Sequence, residues 1–400
     1  SACIALVLRI LAQQVRLRLP ICVGLRLNPW LLAQVTDALT EGLVLGLIVW
    51  IVVLTLRAFQ APTRWGFAGF ITGAAFMVAA TVIVRPANVV AVAAWHSAVI
   101  VALTTLNRSL RDRLACGVIY LMATAIGCLL AWGPQLQYNH SVSGTFAFPL
   151  VCKLGDLQLA WGLRLWKYET IYQAGAGVAP WYYPSPLFNA ATATGPAWKW
   201  YLQNTYGGLL TLGAHVFNSF SVHYLFTYVK DLHPWYSWPL RALYWVVAVL
   251  GAYQLIGAAT KRVRSGLVRS FDPQNGPVIL FLGLAVLGTI ALNSVTAVEV
   301  RFNVLPIAVL SVCSVYLSLG IWSGELLISK HARWLLGGVI AVALWASWEM
   351  DRLGSRQLLQ GAPSLTATNC TLTRHAEPKR WQEMMETHFR RFNTGRLTPR

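Results

Sequence analysis

The sequence predicts an all-α, polytopic membrane helix bundle with a long aromatic-rich outer loop. Three observations carry that reading. Of the 400 residues, 56% are hydrophobic and only 12% are charged, about half the charged fraction of a typical soluble domain. Mean hydropathy is +0.54. Apolar runs of roughly 18 residues recur along the chain, each long enough to cross a hydrocarbon core of about 30 Å. Only helices satisfy every backbone group within one such run. About eight to ten spans are expected.

Taken in order, 1–12 reads as the end of a helix. The stretch 15–33, with Arg16, Arg18, Pro20, Arg26 and Pro29, reads as a helix buried in a bundle. Clearer spans follow at 42–56, 65–84, 87–106, 115–132, 240–260, 277–292, 302–322 and 334–350. Four basic connections set the orientation by the positive-inside rule: Arg57 with Arg64; Arg108, Arg111 and Arg113; Lys261, Arg262, Arg264 and Arg269; Lys330 with Arg333. All four fall in the cytoplasm if 134–239 does not cross. The turn at Arg85–Pro86, the loop 134–239 and the turn 293–301 then lie outside. This divides the chain into N-terminal spans (1–133), an outer loop with interfacial helices (134–239), C-terminal spans (240–350) and a basic tail (351–400).

The net charge of +18 does not call for nucleic acid, because most of it sits in short loops between apolar spans. The bilayer, with its anionic headgroups, is the partner this distribution fits. There are seven cysteines, without CxxC or Cys/His spacing. Cys3, Cys22, Cys116, Cys128 and Cys313 fall in or near apolar segments and read as packing residues. Cys152 and Cys370 both fall outside in this topology, which permits a disulfide.

The loop 134–239 carries Trp161, Trp166, Trp181, Tyr182, Tyr183, Trp198, Trp200, Tyr201, Tyr206, Trp235, Tyr236 and Trp238. Two readings stand side by side: an aromatic belt at the membrane interface, or a surface on which sugar rings stack. Within it, 209–228 is apolar but holds His215, Asn218 and His223, and reads as an interfacial or re-entrant helix. His215 and His223 are eight apart, so a continuous helix would put them on roughly one side. Two histidines alone make a weak metal site.

Charged residues next to the spans are the candidate site residues. Glu41 precedes an apolar run; it complements a helix dipole or sits at the mouth of a cavity. Arg85 interrupts some forty apolar residues and requires a partner, the interface or a lipid phosphate. Glu299 and Arg301 share one turn and either pair locally or line the same outer cavity as Arg85. Asp231, crowded among aromatics with Lys230 and His233, is the general-base candidate, since an apolar pocket raises a carboxyl pKa.

The order of several strings resembles the GT-C membrane glycosyltransferases. "LNPWLLAQVTDALTEG" before a span resembles their Pro-then-Glu helix start. "GFITGAAFMVAATVIVRPANVVAVAAW" resembles their Gly-rich span ending in Arg-Pro. "GPQLQYNHSVSGTFAFP" resembles the departure into their outer loop, and "VEVRFNVLPIAVLSV" their late Arg-Phe/Tyr-x-x-Pro span. The likeness covers about Asn28 to Trp322. It implies a polyprenyl-phosphate-linked sugar donor used outside the membrane, and a glycan, lipid or protein acceptor. It assigns no certain cofactor, although such families include members that use a divalent metal. The family's first span and first outer loop, with its acid, have no counterpart before Asp37, so the chain alone is expected to be a weak catalyst.

The expected function is a glycosyltransferase at the outer face of a bacterial cytoplasmic membrane. Glu41 and Asp231 are the acid or base candidates and Arg85 and Arg301 the phosphate ligands. Glu299, Trp181, Tyr182, Tyr183 and His215 are the remaining substrate contacts. The rivals are an O-antigen ligase or polymerase, which would depend on a lipid-diphosphate glycan, and a transporter or flippase, for which mid-span charges or repeated halves are expected.

Overall fold

The computed structural model describes residues 28–29, 31, 40–105, 109–144, 146, 158–160, 162–163, 165–173, 177–185, 187, 197–225, 235–264, 276–296, 300–324 and 326–356. Side chains 142–143, 168–173, 177–184, 258–264, 301 and 353–356 lie outside that description. So do Asp37, Asp231, Glu299, Cys152 and Cys370 altogether.

In chain order the elements are α1 (Thr40–Gln60), α2 (Arg64–Val84), α3 (Val89–Thr105), α4 (Leu110–Ser143), β1 (Leu165–Gln173), β2 (Gly177–Pro184), α5 (Ala197–Gln203), α6 (Thr205–Phe220), α7 (Ser237–Arg264), α8 (Gly276–Val295), α9 (Val304–Trp322) and α10 (Lys330–Arg356). Short 3-10 turns occupy Pro86–Asn88 and Val300–Asn303. Among the described residues seven helices are long and apolar enough to cross a membrane: α1, α2, Pro86–Thr105, α4, α7, α8 and α9. The chain is an all-α polytopic bundle with the makings of an integral, multi-pass membrane protein. The span expected at 334–350 is helical as α10, but it is not one of the seven. Its ends bring in Arg333, Glu349 and Asp351, which dilute its apolar run.

The described residues fall into two compact units. One draws on Ser1–Gln135, Val247–Leu292 and Val304–Arg333; the other draws on Leu136–Val246, Asn293–Asn303 and Trp334–Arg400. The boundary expected at 133 falls inside α4, which runs on through Pro134. At 1.5 Å per residue α4 is about 51 Å long, well beyond a bilayer core. The 134–239 segment also holds a two-stranded antiparallel hairpin that the sequence reading did not expect.

In the first unit, Thr63 caps α2, its Oγ1 accepting from Gly66 N at 3.1 Å. The helix stops at Arg85, whose backbone is extended at φ −156° and ψ 114°. Proline at 86 disfavours the helical conformation of the residue before it, and the chain turns back there. Asn88 Nδ2 donates to the Thr81 carbonyl at 3.0 Å, a second bond to the oxygen that already accepts from Arg85 N at 2.9 Å. The core is apolar, with Ile51, Ile71, Trp95, Val99 and Phe281 buried together. Gly127 lets α4 approach α2 closely, since a Cβ there would stand 2.6 Å from the Thr72 carbonyl oxygen. The opposite face of α4 exposes Leu121, Met122, Ile126 and Leu129, a surface suited to lipid rather than water.

The connections of this unit sort by charge. Arg64 Nη2 lies 2.7 Å from Asp112 Oδ1, so the α1–α2 and α3–α4 turns meet at one end. Both side chains are exposed, so the pair contributes at most about 1 kcal/mol. The start of α1 and the Arg85 turn lie at the other end of the α1–α2 hairpin.

Candidate functional site

At that second end of the first unit, Arg85 Nη1 lies 3.1 Å from Glu41 Oε1. Glu41 is the second residue of α1, and Thr40 Oγ1 donates to its other carboxylate oxygen at 3.1 Å. The carboxylate side chain is 3% exposed and the guanidinium side chain 20%. Two candidates that sequence kept separate are therefore one ion pair. Nearby on the chain, Asn28 Nδ2 donates to Ser311 Oγ at 2.8 Å and its Oδ1 accepts from Leu31 N at 3.0 Å. That polar contact ties the stretch before α1 to α9.

Further down the first unit, His96 on α3 hydrogen-bonds the Tyr120 hydroxyl on α4 through Nδ1. Trp95 Nε1 donates to Thr55 Oγ1 at 2.9 Å. Both contacts lie within membrane-spanning helices, where each polar side chain needs an internal partner. Asp, Glu, Lys and Arg are absent from this contact, so charge along the spans does not reveal it.

In the second unit the sites cluster at the foot of the hairpin. The register pairs Tyr183 with Lys167, Tyr182 with Tyr168 and Trp181 with Glu169, and shifts between Leu165 and Lys167. A shift of this kind re-aims a side chain, and it falls at Trp166. Lys167 is buried, with Nζ 3.1 Å from His223 Nδ1 and 3.4 Å from the Ser221 carbonyl. Asn218 Nδ2 donates to the Trp166 carbonyl at 3.3 Å.

His215 is fully buried on α6. Nδ1 lies 2.7 Å from the Ser294 carbonyl and Nε2 2.8 Å from the Leu165 carbonyl. A neutral ring has one N–H to give, so it donates to only one of the two. Burial lowers the pKa of the ring, and the carbonyls of Ser294, Leu165 and Gly162 oppose that shift. Loss of solvation outweighs them, so the neutral ring is favoured more than in water. Gly162 is a close-approach position: a Cβ there would run into the Val295 carbonyl. These contacts bind the end of α8 to the start of β1. His215 is thus occupied with backbone and holds segments in place.

Arg301 lies in the 3-10 turn of this unit, where Asn293 Nδ2 donates to Asn303 Oδ1 at 3.0 Å. Its side chain is outside the described residues, as are those of Trp181, Tyr182 and Tyr183, and all of Glu299 and Asp231. His223 is not on a helix with His215, because α6 ends at Phe220; it turns to Lys167 instead. Sequence reasoning also missed the pair of Arg241 Nη1 with Asp351 Oδ2 at 2.7 Å, which joins α7 to α10. Arg241 is buried and stacks over Trp238, with Cζ 4.7 Å from the ring centre.

Among the described residues no group of three or more His, Cys, Asp or Glu is placed to hold a metal ion. No protein-family model, curated protein or solved structure matches the chain.

Proposed function

We propose that the chain is a glycosyltransferase of the outer face of a bacterial cytoplasmic membrane, moving one sugar from a polyprenyl-phosphate donor to a glycan, lipid or protein acceptor. The observation that carries the reading is the Glu41–Arg85 pair. A carboxylate fixes an arginine at the end of the bundle away from the Arg64–Asp112 turns, where a lipid phosphate would lie under the positive-inside orientation.

In the reaction the acceptor hydroxyl attacks the anomeric carbon and the bond from that carbon to the phosphate oxygen breaks. The acceptor proton passes to a carboxylate, and the lipid phosphate leaves carrying the negative charge. Arg85 stabilises that charge as it develops. Glu41 is already engaged with Arg85, so Asp231 is the better base.

The test is transfer of labelled sugar by the purified chain in lipid nanodiscs, with donor binding measured separately. Donor binding with weak transfer is expected, and Arg85→Lys is expected to weaken that binding; robust transfer abolished by Asp231→Asn would place the base within this chain. Transfer from a lipid-diphosphate glycan and none from a monophosphate sugar would point to a ligase or polymerase. Substrate flux without a new glycosidic bond would point to a transporter.

A further inference from the structure

The polarity of α6 is inverted relative to a helix on a water-facing domain, whereas α5 buries Trp200 and exposes Lys199 and Gln203. Their outward face exposes Trp198, Leu202, Tyr206 and Leu209, at spacings that keep one side of the two successive helices. The inward face of α6 buries Thr211, His215, Asn218 and Ser219. An amphipathic helix in water turns its apolar stripe inward; here the polar stripe is inward, and His215, Asn218 and Ser219 in it are bonded to backbone.

Depth along α7 gives the reason. Phe217 packs on Trp245, with ring centres 4.8 Å apart. Just after α6, Ser221 Oγ lies 3.4 Å from Ser347 Oγ, which also accepts from Trp245 Nε1 at 3.0 Å. Trp245 lies within the candidate span Ser237–Gly257, about 12 Å from its first residue at 1.5 Å per residue. The end of α6 is therefore packed well down a membrane-crossing helix, while Trp235 and Trp238 stand exposed around the start of that helix, as residues of an interface belt do. At 16 residues, α6 is about 24 Å long and too short to cross a core of about 30 Å alone.

We propose that α6 forms a re-entrant element set into the leaflet, with Tyr206 and Leu209 in contact with lipid acyl chains and α5, which carries the exposed Lys199, at the interface. A chain that turns back inside a bilayer needs its polar groups covered by protein, and the inward face of α6 meets that need through Asn218 with the Trp166 carbonyl and His215 with the Leu165 and Ser294 carbonyls. The α6 sequence from Thr205 to Phe220 contains no Asp, Glu, Lys or Arg, so nothing on it demands water. The inference does not depend on the transferase reading.

The experiment is site-directed spin labelling of the full chain, its seven cysteines replaced by alanine, in nanodiscs of phosphatidylethanolamine and phosphatidylglycerol. Single cysteines go at Leu202, Tyr206, Leu209 and Gly213. The first three are exposed, and a Cβ at Gly213 meets nothing within 4 Å, so labels fit without disturbing the core. Collision with oxygen is expected to exceed collision with a water-soluble nickel chelate, by a ratio that rises severalfold from 202 to 213. A water-like ratio at all four positions overturns the proposal. So does exclusion of both probes with spin–spin coupling between copies, which would make the face a contact with a second chain. Thermal unfolding of each labelled chain, matched to the unlabelled one, shows that the readings come from folded protein.

Discussion

Arg85 reaches Glu41 across 3.1 Å from a turn 44 residues further along the chain. The contact joins the start of α1 to the end of α2 and buries a carboxylate that would be costly alone. Removing one partner of such a pair weakens the compensation of the other charge, a loss of at most about 3–5 kcal/mol. Glu41→Ala and Arg85→Ala are each expected to destabilise the chain by that order, read from unfolding in mixed detergent. The charge swap Glu41→Arg with Arg85→Glu is expected to recover part of the stability. Single variants as stable as the parent would show the pair to be incidental.

Gly162 stands against the end of α8, where a Cβ would meet the Val295 carbonyl. Gly162→Ala is expected to cost about 1–3 kcal/mol, the usual range for overpacking against fixed atoms. Faster hydrogen exchange in 165–173 and 293–303 would locate the damage at the hairpin foot. Exchange unchanged in both segments would contradict the close approach.

His215 predicts a pH dependence of definite sign. Its folded pKa is lowered from the ordinary 6.5 by burial, with the three carbonyls opposing. The folded chain then holds the proton less tightly than the unfolded chain, so this contribution to stability is present above about 6.5 and is lost as the pH falls through the folded value. His215→Gln keeps a donor without a titrating group and is expected to flatten the fall in stability below that pH. Equal slopes for the two chains would assign the acid loss elsewhere.

Topology gives a prediction free of chemistry. Single cysteines at 57–64, 107–114, 261–275 and 324–333 are expected to resist a membrane-impermeant thiol reagent in intact cells, and one at Asn88 to react. The Arg64–Asp112 contact requires the first two of these connections to share a side. Labelling of two or more of the four would invert or break the arrangement.

In mid-membrane, Tyr120→Phe removes the hydroxyl that His96 bonds. Contacts of this type average about 0.6 kcal/mol, reaching about 1.7. A loss in that range is expected from reversible unfolding in detergent, with the helix content unchanged. A larger loss would mean that the pair anchors a wider network.

The sequence by itself determined the class of fold. Among the described residues seven apolar runs became helices of spanning length, because in hydrocarbon no other single-segment structure satisfies the backbone. It also set the turn at Arg85, since the steric demand of Pro86 is local. It fixed α6 only in part: apolar content marked a helix, but its end at Phe220 came from the turn toward Lys167, and so the expected alignment of His215 with His223 failed. The hairpin was hidden because only β1 alternates, Trp166, Tyr168 and Tyr172 with Lys167, Glu169 and Gln173, while β2 carries Pro180, Pro184 and adjacent aromatics. What only the tertiary structure decided were the partnerships: Glu41 with Arg85, His215 with the carbonyls of Ser294 and Leu165, Lys167 with His223, Arg241 with Asp351. Each joins positions between 44 and 110 residues apart. Hydropathy records which medium a residue prefers, whereas a buried charge or hydrogen bond is settled by whichever distant atom the packed helices bring within about 3 Å.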